Sequence, residues 1–429
     1  MSLDRRTFLQ GLSVGALGAL AGCNTPTAPA AVRPIPALPA FGSVPDEAFW
    51  RAVRAQYPLL DDPVYLNTGG LGPAAQSVLD TVFNTMTKLQ EHSETGHDLF
   101  QPARKSMARF LGVRSREICF TRNATEGNSI IAAGLALAPG DEVIFESHAH
   151  PGGSYPWANQ EKLRGVKVKV FDPDPASPEA NVAAIRALIT PRTKVIQVSH
   201  LTCTTGLVFP VRAIADLAQQ HGIWFHIDGA QSVGMIPVNF DTMGCDSYAF
   251  SGHKWLGGPH ESGVLYIRHS KLEAVAATGI GAHSGALESL PGEIQLDGGA
   301  SRHEYGTRNA GLIAGLAEAV RLQEAIGRER IAAYGKAMAS HLLEELDKIP
   351  GITVLTPRPA EMRGSMTTIT HARANAGKLF GYLREKHALR CRPVTEQGLQ
   401  AVRISTHVFN SPAECERVIA GVRASTRDL

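Results

Sequence analysis

Charge of one sign, closely spaced cysteines and long apolar runs are all missing from this chain, and each absence removes a class of function. Its 42 Lys and Arg are matched by 40 Asp and Glu, and no Lys/Arg block stands out, so there is no electrostatic footprint for nucleic acid. A small-molecule partner is the expectation. The six cysteines (Cys23, Cys119, Cys203, Cys245, Cys391 and Cys415) lie far apart with no CxxC pair, so neither a zinc ribbon nor a disulfide framework can be read from their spacing. Most are expected as small buried apolar side chains. Beyond the first thirty residues no segment reaches the roughly 20 uninterrupted apolar residues that cross a bilayer, and no internal repeat is evident. What remains is 429 residues, 44% hydrophobic and 19% charged, with 42 glycines and 26 prolines. That is the composition of a globular enzyme, not of a disordered, collagenous or coiled-coil chain. The length allows two or three domains and a full core.

The first thirty residues read as an address. Asp4-Arg5-Arg6-Thr7-Phe8-Leu9-Gln10 precedes a short apolar stretch, Gly11 to Ala21, whose repeated glycines would weaken a helix of a folded protein. The segment resembles a twin-arginine export signal, which implies the twin-arginine export machinery as a partner and the periplasm as the destination. Leu20-Ala21-Gly22-Cys23 resembles a lipobox, while Ala28-Pro29-Ala30 looks like an ordinary cleavage site. Both outcomes stay open, and the membrane is a partner only if Cys23 is lipidated. The Pro/Ala stretch from Thr25 to Ala40 reads as a semi-rigid tether. The expected organisation is residues 1–30 as signal, 31–63 as tether and N-terminal segment, 64–310 as a large domain and 311–429 as a smaller C-terminal one.

From about Met107 to Ile267 helical patterns alternate with short apolar runs: Glu142–Phe145, Val166–Val170, Lys194–Val198, Ile223–Asp228, Ser247–Phe250 and Val264–Ile267. That alternation predicts an α/β fold with a largely parallel sheet covered on both faces. Ligands gather at the carboxyl ends of such strands. Gly311 to Ile349 reads as long helices, and the remainder as a smaller α+β domain.

Two of those strand ends carry chemistry. Ser251-Gly252-His253-Lys254-Trp255 follows the Ser247 strand, and His226-Ile227-Asp228-Gly229-Ala230-Gln231 ends an earlier one. A lysine in a glycine-rich strand-end loop is partly desolvated, which makes its amine reactive toward carbonyls. An aspartate at the neighbouring strand end can hold a protonated pyridine nitrogen. Together they suit pyridoxal phosphate as an electron sink. Thr121-Arg122-Asn123-Ala124-Thr125-Glu126-Gly127-Asn128 runs into an apolar helix, Ser129 to Leu137, so hydroxyls and free N–H groups cluster where phosphate binds.

With these motifs the sequence resembles the class V aminotransferases, fold-type-I pyridoxal-phosphate enzymes that include cysteine desulfurases and isopenicillin N epimerases. Asn123-Ala124-Thr125-Glu126, Asp228-Gly229-Ala230-Gln231 and Ser251-Gly252-His253-Lys254 occur in the family's order, and the likeness runs from about Val64 to Val422. The resemblance implies a mostly parallel seven-stranded-type sheet and makes Lys254 the lysine that carries the cofactor as a Schiff base. Asp228 then pairs with the pyridine nitrogen and Gln231 contacts the ring hydroxyl. Thr125, Ser251, His253 and the Ala124 backbone would hold the phosphate. A histidine stacks on the ring in this family; His148 and His150 compete for that place, and spacing to Pro156-Trp157 favours His150. A metal reading of His148-Ala149-His150 lacks further ligands. Gly306-Thr307 resembles the element that reaches a neighbouring subunit's phosphate, which implies a homodimer with shared active sites. From the residues alone, a glycine turn before a helix starting near Asn309 fits equally well.

Arg403, in Val402-Arg403-Ile404-Ser405, resembles the arginine that clamps a substrate carboxylate, and a guanidinium suits that planar partner. An exposed arginine on a half-buried strand would read the same. Asn67 and the Gly69-Gly70 turn match a stretch on the substrate side; Arg390 and Arg392 are weaker substrate contacts. The expected activity acts on the amino group or α carbon of an amino acid or amino-acid-derived substrate, aminotransferase-type. Epimerisation, cysteine desulfuration or C–S lysis, and a non-catalytic binding protein are the alternatives. Desulfuration is disfavoured because Cys391 falls several residues early for the family's mobile thiol. Ser199-His200-Leu201-Thr202, Thr204-Thr205-Gly206 and Arg403 to His407 look closest to the isopenicillin N epimerase-like branch. The signal-plus-cofactor arrangement is similar to that of an exported relative acting on the glutamate side group of pyoverdine siderophores.

Overall fold

Strands that are apolar at nearly every position need cover on both faces, and the chain provides it with helices between them. The computed structural model describes residues 37–42, 46–287 and 289–429; the export signal, the lipobox at Cys23 and most of the tether lie outside the described residues. The main sheet comprises β1 (Ile118–Thr121), β2 (Glu142–Glu146), β3 (Lys167–Phe171), β4 (Thr193–Ser199), β5 (Trp224–Asp228), β6 (Ser247–Ser251) and β7 (Gly263–Ile267). Their spatial order is β1-β7-β6-β5-β4-β2-β3. β3, β2, β4, β5 and β6 run parallel; β7 is antiparallel to both β6 and β1. All strands but edge strand β3 are buried almost throughout.

This is the expected mostly parallel α/β sheet, and the six anticipated strands appear with ends displaced by a residue or so. β1 was not anticipated. It has four residues and no polar alternation, so its pattern merges with the helix that follows. That helix starts at Ala124, earlier than the expected Ser129, because Asn123 caps it by accepting from the Glu126 N–H.

The chain moves outward from β2 to β3, then returns to place β4 on the other side of β2. A crevice opens at the carboxyl ends of strands where the order reverses in this way. The segments that follow β2, β4, β5 and β6 all emerge on that side.

A second sheet holds β8 (Ile352–Val354), β9 (Met366–His371), β10 (Arg392–Val394) and β11 (Ala401–Ser405) in the antiparallel order β8-β9-β11-β10. Helices Arg328–Asp347, Ala376–His387 and Pro412–Asp428 give it a core of its own, with Leu342, Leu383, Val402 and Val418 fully buried. Helix Ala310–Ile326 instead sends Leu316, Val320 and Ile326 into the larger core, among Phe120, Phe225, Tyr248 and Phe250. Full burial of such a side chain is worth about 1.5–3 kcal/mol. Near the N-terminus, Val64–Tyr65 pairs with Leu389–Arg390, and Asn67 bridges to Ser405 at the end of β11. This threading sets Asn67 beside Arg403.

Candidate active site

Lys254 stands three residues beyond the end of β6. Its turn depends on close backbone approach: a Cβ on Gly252 would meet Leu316 Cδ1 at 2.6 Å and Ser262 Oγ at 2.7 Å. Gly72 packs on the other side, its N–H donating to His253 O at 2.8 Å, and a Cβ there would fall 1.8 Å from Lys254 O. Only glycine fits. The Lys254 side chain is half-buried, and its amine makes no hydrogen bond or ion pair among the described residues. Burial lowers its pKa, with Asp228 opposing and the guanidinium of Arg403 reinforcing the shift. The amine is therefore primed as a nucleophile or base.

Asp228, the last residue of β5, is buried and held at both oxygens. Asn128 Nδ2 donates to Oδ2 at 2.9 Å, and the Ala230 N–H donates to Oδ1 at 3.0 Å. The charges of both Asp228 and Lys254 act on His150, which caps helix Pro151–Arg164 by accepting the Gly152 N–H on Nδ1 at 3.0 Å. When neutral, that ring carries its proton on Nε2. His148 is engaged elsewhere, bonded through Nδ1 to Thr204 Oγ1 at 2.9 Å, and the charge acting on it is Asp172. Both histidines line a cavity of about 480 Å³ with Phe145, Tyr155, Cys203 and Glu396, a size suited to a cofactor or small ligand.

The opposite end of the site is built for an anion. The N-terminus of helix Ala124–Gly134 presents the Thr125 hydroxyl and amide, while the Ala124 N–H donates to Ser251 Oγ at 3.1 Å and the Glu126 N–H to its Asn123 cap. A Cβ on Gly152 would sit 2.3 Å from Thr125 Oγ1, and one on Gly153 2.7 Å from Asp228 Oδ2. This glycine pair keeps open the space between the hydroxyl and the carboxylate. His253 gives its Nδ1–H to Ser262 O at 3.1 Å, and burial takes its pKa down to about 4. It has Nε2 alone to offer a phosphate, and that atom must carry a proton to donate. Gln231 donates to Gly69 O at 2.8 Å and accepts from Trp255 Nε1 at 2.9 Å, which leaves one amide hydrogen for a ligand.

Arg403 lies on β11, an inner strand. Its Nη1 donates to Cys203 O at 2.6 Å and its Nη2 to Asn67 Oδ1 at 3.0 Å, while the buried Nε has no partner among the described residues. Burial lowers its pKa to about 10, so it stays charged at neutral pH. Arg392 faces it across the strand pair and is bound to Glu396. Arg390 is exposed and lies over the Tyr65 ring, 5.4 Å from its centroid. Thr307 does not join this group; it lines a surface cavity of about 290 Å³ with Thr121, Arg122 and Glu126. Asn309 caps the next helix, as the glycine-turn reading of that stretch expected. Cys391 is packed in the smaller core, where burial pushes its thiol up to about 12. Among the described residues no group of three or more His, Cys, Asp or Glu is arranged to hold a metal.

Sequence reasoning quoted Asn128 without giving it a role and overlooked the Cys203 carbonyl and the glycine pair. Asn128 had a signal: a polar residue one turn beyond Ala124 on a helix face turned toward the sheet. The carbonyl had none, because any residue provides one.

A lysine amine without a partner among the described residues, a carboxylate gripped by two donors, a helix terminus suited to an anion and a buried guanidinium, with the charges of Asp228 and Arg403 both acting on the lysine, fit pyridoxal phosphate and an amino acid. Fold and site define a pyridoxal-phosphate-dependent enzyme of fold type I. Residues 74–426 match the family model for class-V aminotransferases, and the chain belongs to that family. It is 31% identical over 395 residues to a probable cysteine desulfurase of Vibrio cholerae, covering 86% of this chain and 97% of that one. It is 26% identical over 400 residues to the isopenicillin N epimerase of Streptomyces clavuligerus, covering 88% and 98%. A probable cysteine desulfurase of Mycolicibacterium paratuberculosis is 29% identical over 396 residues, and the chain spans 57% of its length. Among solved structures, a C-DES variant with glycine covalently linked to its pyridoxal-phosphate cofactor superposes with a TM-score of 0.79 at 25% identity, covering 86% of this chain and 98% of that one.

Proposed function

We propose that this enzyme acts on the amino group or α carbon of an amino-acid-type substrate by aminotransferase-type chemistry. The observation that carries the reading is the unpartnered Lys254 amine set between the charges of Asp228 and Arg403. Pyridoxal phosphate, when bound, supplies the electron sink that acidifies the α C–H of an amino acid. Asp228 would keep a proton on the ring nitrogen, and Thr125 and Ser251 at the first turn of helix Ala124–Gly134 would hold the phosphate. His150 would cover the ring. Arg403, oriented by Asn67 and the Cys203 carbonyl, takes the substrate carboxylate. That fixes the α carbon within reach of Lys254 Nζ, which takes up and returns the proton.

Epimerisation is the second reading, favoured by likeness to the Streptomyces clavuligerus enzyme across nearly its whole length. Desulfuration, which the names of other relatives bring forward, lacks an accessible sulfur acceptor: all five described cysteines are buried, and burial raises even the Cys203 thiol beside the site. A substrate such as the glutamyl side group of a siderophore belongs to this proposal through the likeness of the signal-plus-cofactor arrangement to that of an exported relative. A homodimer belongs to the same proposal, because Thr307 faces outward in the manner of a residue serving a neighbouring subunit. So does export to the periplasm, through the segment before residue 31.

Purified protein is expected to be yellow, borohydride should fix the cofactor on Lys254, and Lys254→Ala should abolish turnover. Conversion of the bound aldehyde to the pyridoxamine form by amino acids or siderophore precursors supports aminotransferase chemistry. Exchange of the α hydrogen with solvent deuterium and loss of optical purity, without that conversion, would replace it with epimerisation; sulfide release from cysteine would replace it with desulfuration. Colourless protein that takes up no pyridoxal phosphate overturns the whole reading.

A further inference from the structure

Asn128 can be placed in only one orientation. Its Nδ2 lies 3.0 Å from Gly152 O and 2.9 Å from Asp228 Oδ2, both acceptors, so this end must be the nitrogen, giving one hydrogen to each. Its Oδ1 then accepts from His226 Nε2 at 2.9 Å, which puts the ring proton on Nε2 and leaves Nδ1 as an acceptor. Ser247 Oγ, 2.8 Å from Nδ1, donates there and accepts from Trp224 Nε1 at 2.9 Å. Trp224, Ser247, His226 and Asn128 each donate one proton along the line toward Asp228 Oδ2, the second Asn128 hydrogen going to Gly152 O, and all five residues are buried.

The fold explains why they meet. Trp224, His226 and Asp228 alternate along one face of β5, Ser247 is the cross-strand partner of His226 on β6, and Asn128 comes from the helix covering that face. Burial takes the His226 pKa down to about 3, so the ring stays neutral. With the proton on Nδ1 instead, His226 would present a lone pair to Asn128 Oδ1. The amide would have to turn over and set its oxygen against Gly152 O and the Asp228 carboxylate.

We propose that His226 is a positioning residue for Asp228: as the Nε2–H tautomer it locks Asn128 in the orientation that donates to one carboxylate oxygen, while the Ala230 N–H holds the other. Its consequence for the cofactor rests on the reading above, in which Asp228 meets the ring nitrogen of pyridoxal phosphate. A carboxylate fixed by these donors would meet the ring nitrogen at a set angle and hold the proton there.

The first test needs no cofactor. In 15N-histidine-labelled protein, the His226 resonances, assigned by their loss in His226→Gln, should report a neutral Nε2–H ring that does not titrate between about pH 5.5 and 8. An Nδ1–H ring or an imidazolium there overturns the proposal. The second test uses cofactor affinity and the 15N shift of ring-labelled pyridoxal phosphate. His226→Gln keeps a donor toward Asn128 and should bind within about threefold of the parent with the ring nitrogen protonated. His226→Leu keeps bulk without a donor and should bind at least about tenfold more weakly, the nitrogen shift moving toward the unprotonated value. A leucine variant that binds as the parent does, with a protonated ring, overturns the proposal; if that variant does not fold, the tautomer in the parent decides alone. Parent protein that takes up no cofactor refutes the site reading instead, and the tautomer measurement still judges the His226 assignment.

Discussion

Arg403 shows how much of a single residue's role depends on its surroundings. Its charge is buried, and it is tolerated because Cys203 O and Asn67 Oδ1 each accept from one of its terminal nitrogens, each of which keeps a second hydrogen. Losing one partner of a buried charged pair costs about 2–5 kcal/mol. Arg403→Ala should therefore lower kcat/KM for an amino-acid substrate by about 10²–10³, mostly through KM, with the cofactor's absorbance unchanged. Arg403→Lys should recover little, because an ammonium cannot reproduce the planar fork. Asn67→Ala, which frees the guanidinium without removing it, should cost about tenfold. Steady-state kinetics on the three variants checks the order, and an unchanged KM in Arg403→Ala would release the carboxylate to another group. Lys254 and Asp228 were legible as a lysine in a glycine-rich loop and an aspartate at the end of an apolar strand, and Arg403 only through the family resemblance. Spacing favoured His150 over His148 without the physical reason, which lies in which one begins a helix and which one meets Thr204.

Strands and helix termini set the geometry that these residues use. Six strands of the main sheet were legible as short apolar runs between helical stretches, and the crevice followed from their parallel order. The contribution of helix Pro151–Arg164 was not legible. Gly152 and Gly153 in its first turn look like poor helix formers, and only the folded chain shows what they leave room for. A methyl at position 153 would press on Asp228 Oδ2 from 2.7 Å and on Gln197 Nε2 from 3.0 Å, both side chains already fixed by hydrogen bonds. Gly153→Ala is accordingly expected to weaken pyridoxal phosphate binding by about tenfold or more as the carboxylate is displaced. The melting temperature of cofactor-free protein should fall as well, but modestly, since alanine's better helix propensity offsets part of the crowding. Cofactor titration beside a thermal melt separates the two effects; a variant that binds normally would mean that the carboxylate has room to move.

Across the whole molecule, the buried neutral histidines determine how folding responds to pH. His200, His226 and His407 are fully enclosed, and burial lowers their pKa values to about 4, 3 and 4 from an ordinary 6.5. Below about pH 6.5 the unfolded chain takes up protons at these positions and the folded chain does not, so acidification favours unfolding until the folded values are reached. Glu146 works in the opposite direction. Burial raises its pKa to about 7 from 4.5, so the folded state keeps a proton that the unfolded chain has lost, and stability from this group falls as pH rises through that interval. Between about pH 4.5 and 6.5 these three histidines, joined by the less enclosed His253 and His303 whose values burial also lowers to about 4, outweigh one carboxyl. At about 1.4 kcal/mol per group and pH unit, the three enclosed rings less the carboxyl already account for a loss approaching about 3 kcal/mol per unit, against a total stability typically of about 5–15 kcal/mol. Urea midpoints should thus fall steeply from about pH 7 to 5.5. In His407→Gln, which keeps a donor toward Trp255 O while removing one titrating ring, the slope should be shallower by about 1.4 kcal/mol per unit. A midpoint that is flat or rising on acidification would mean that these rings are not held neutral in the folded protein.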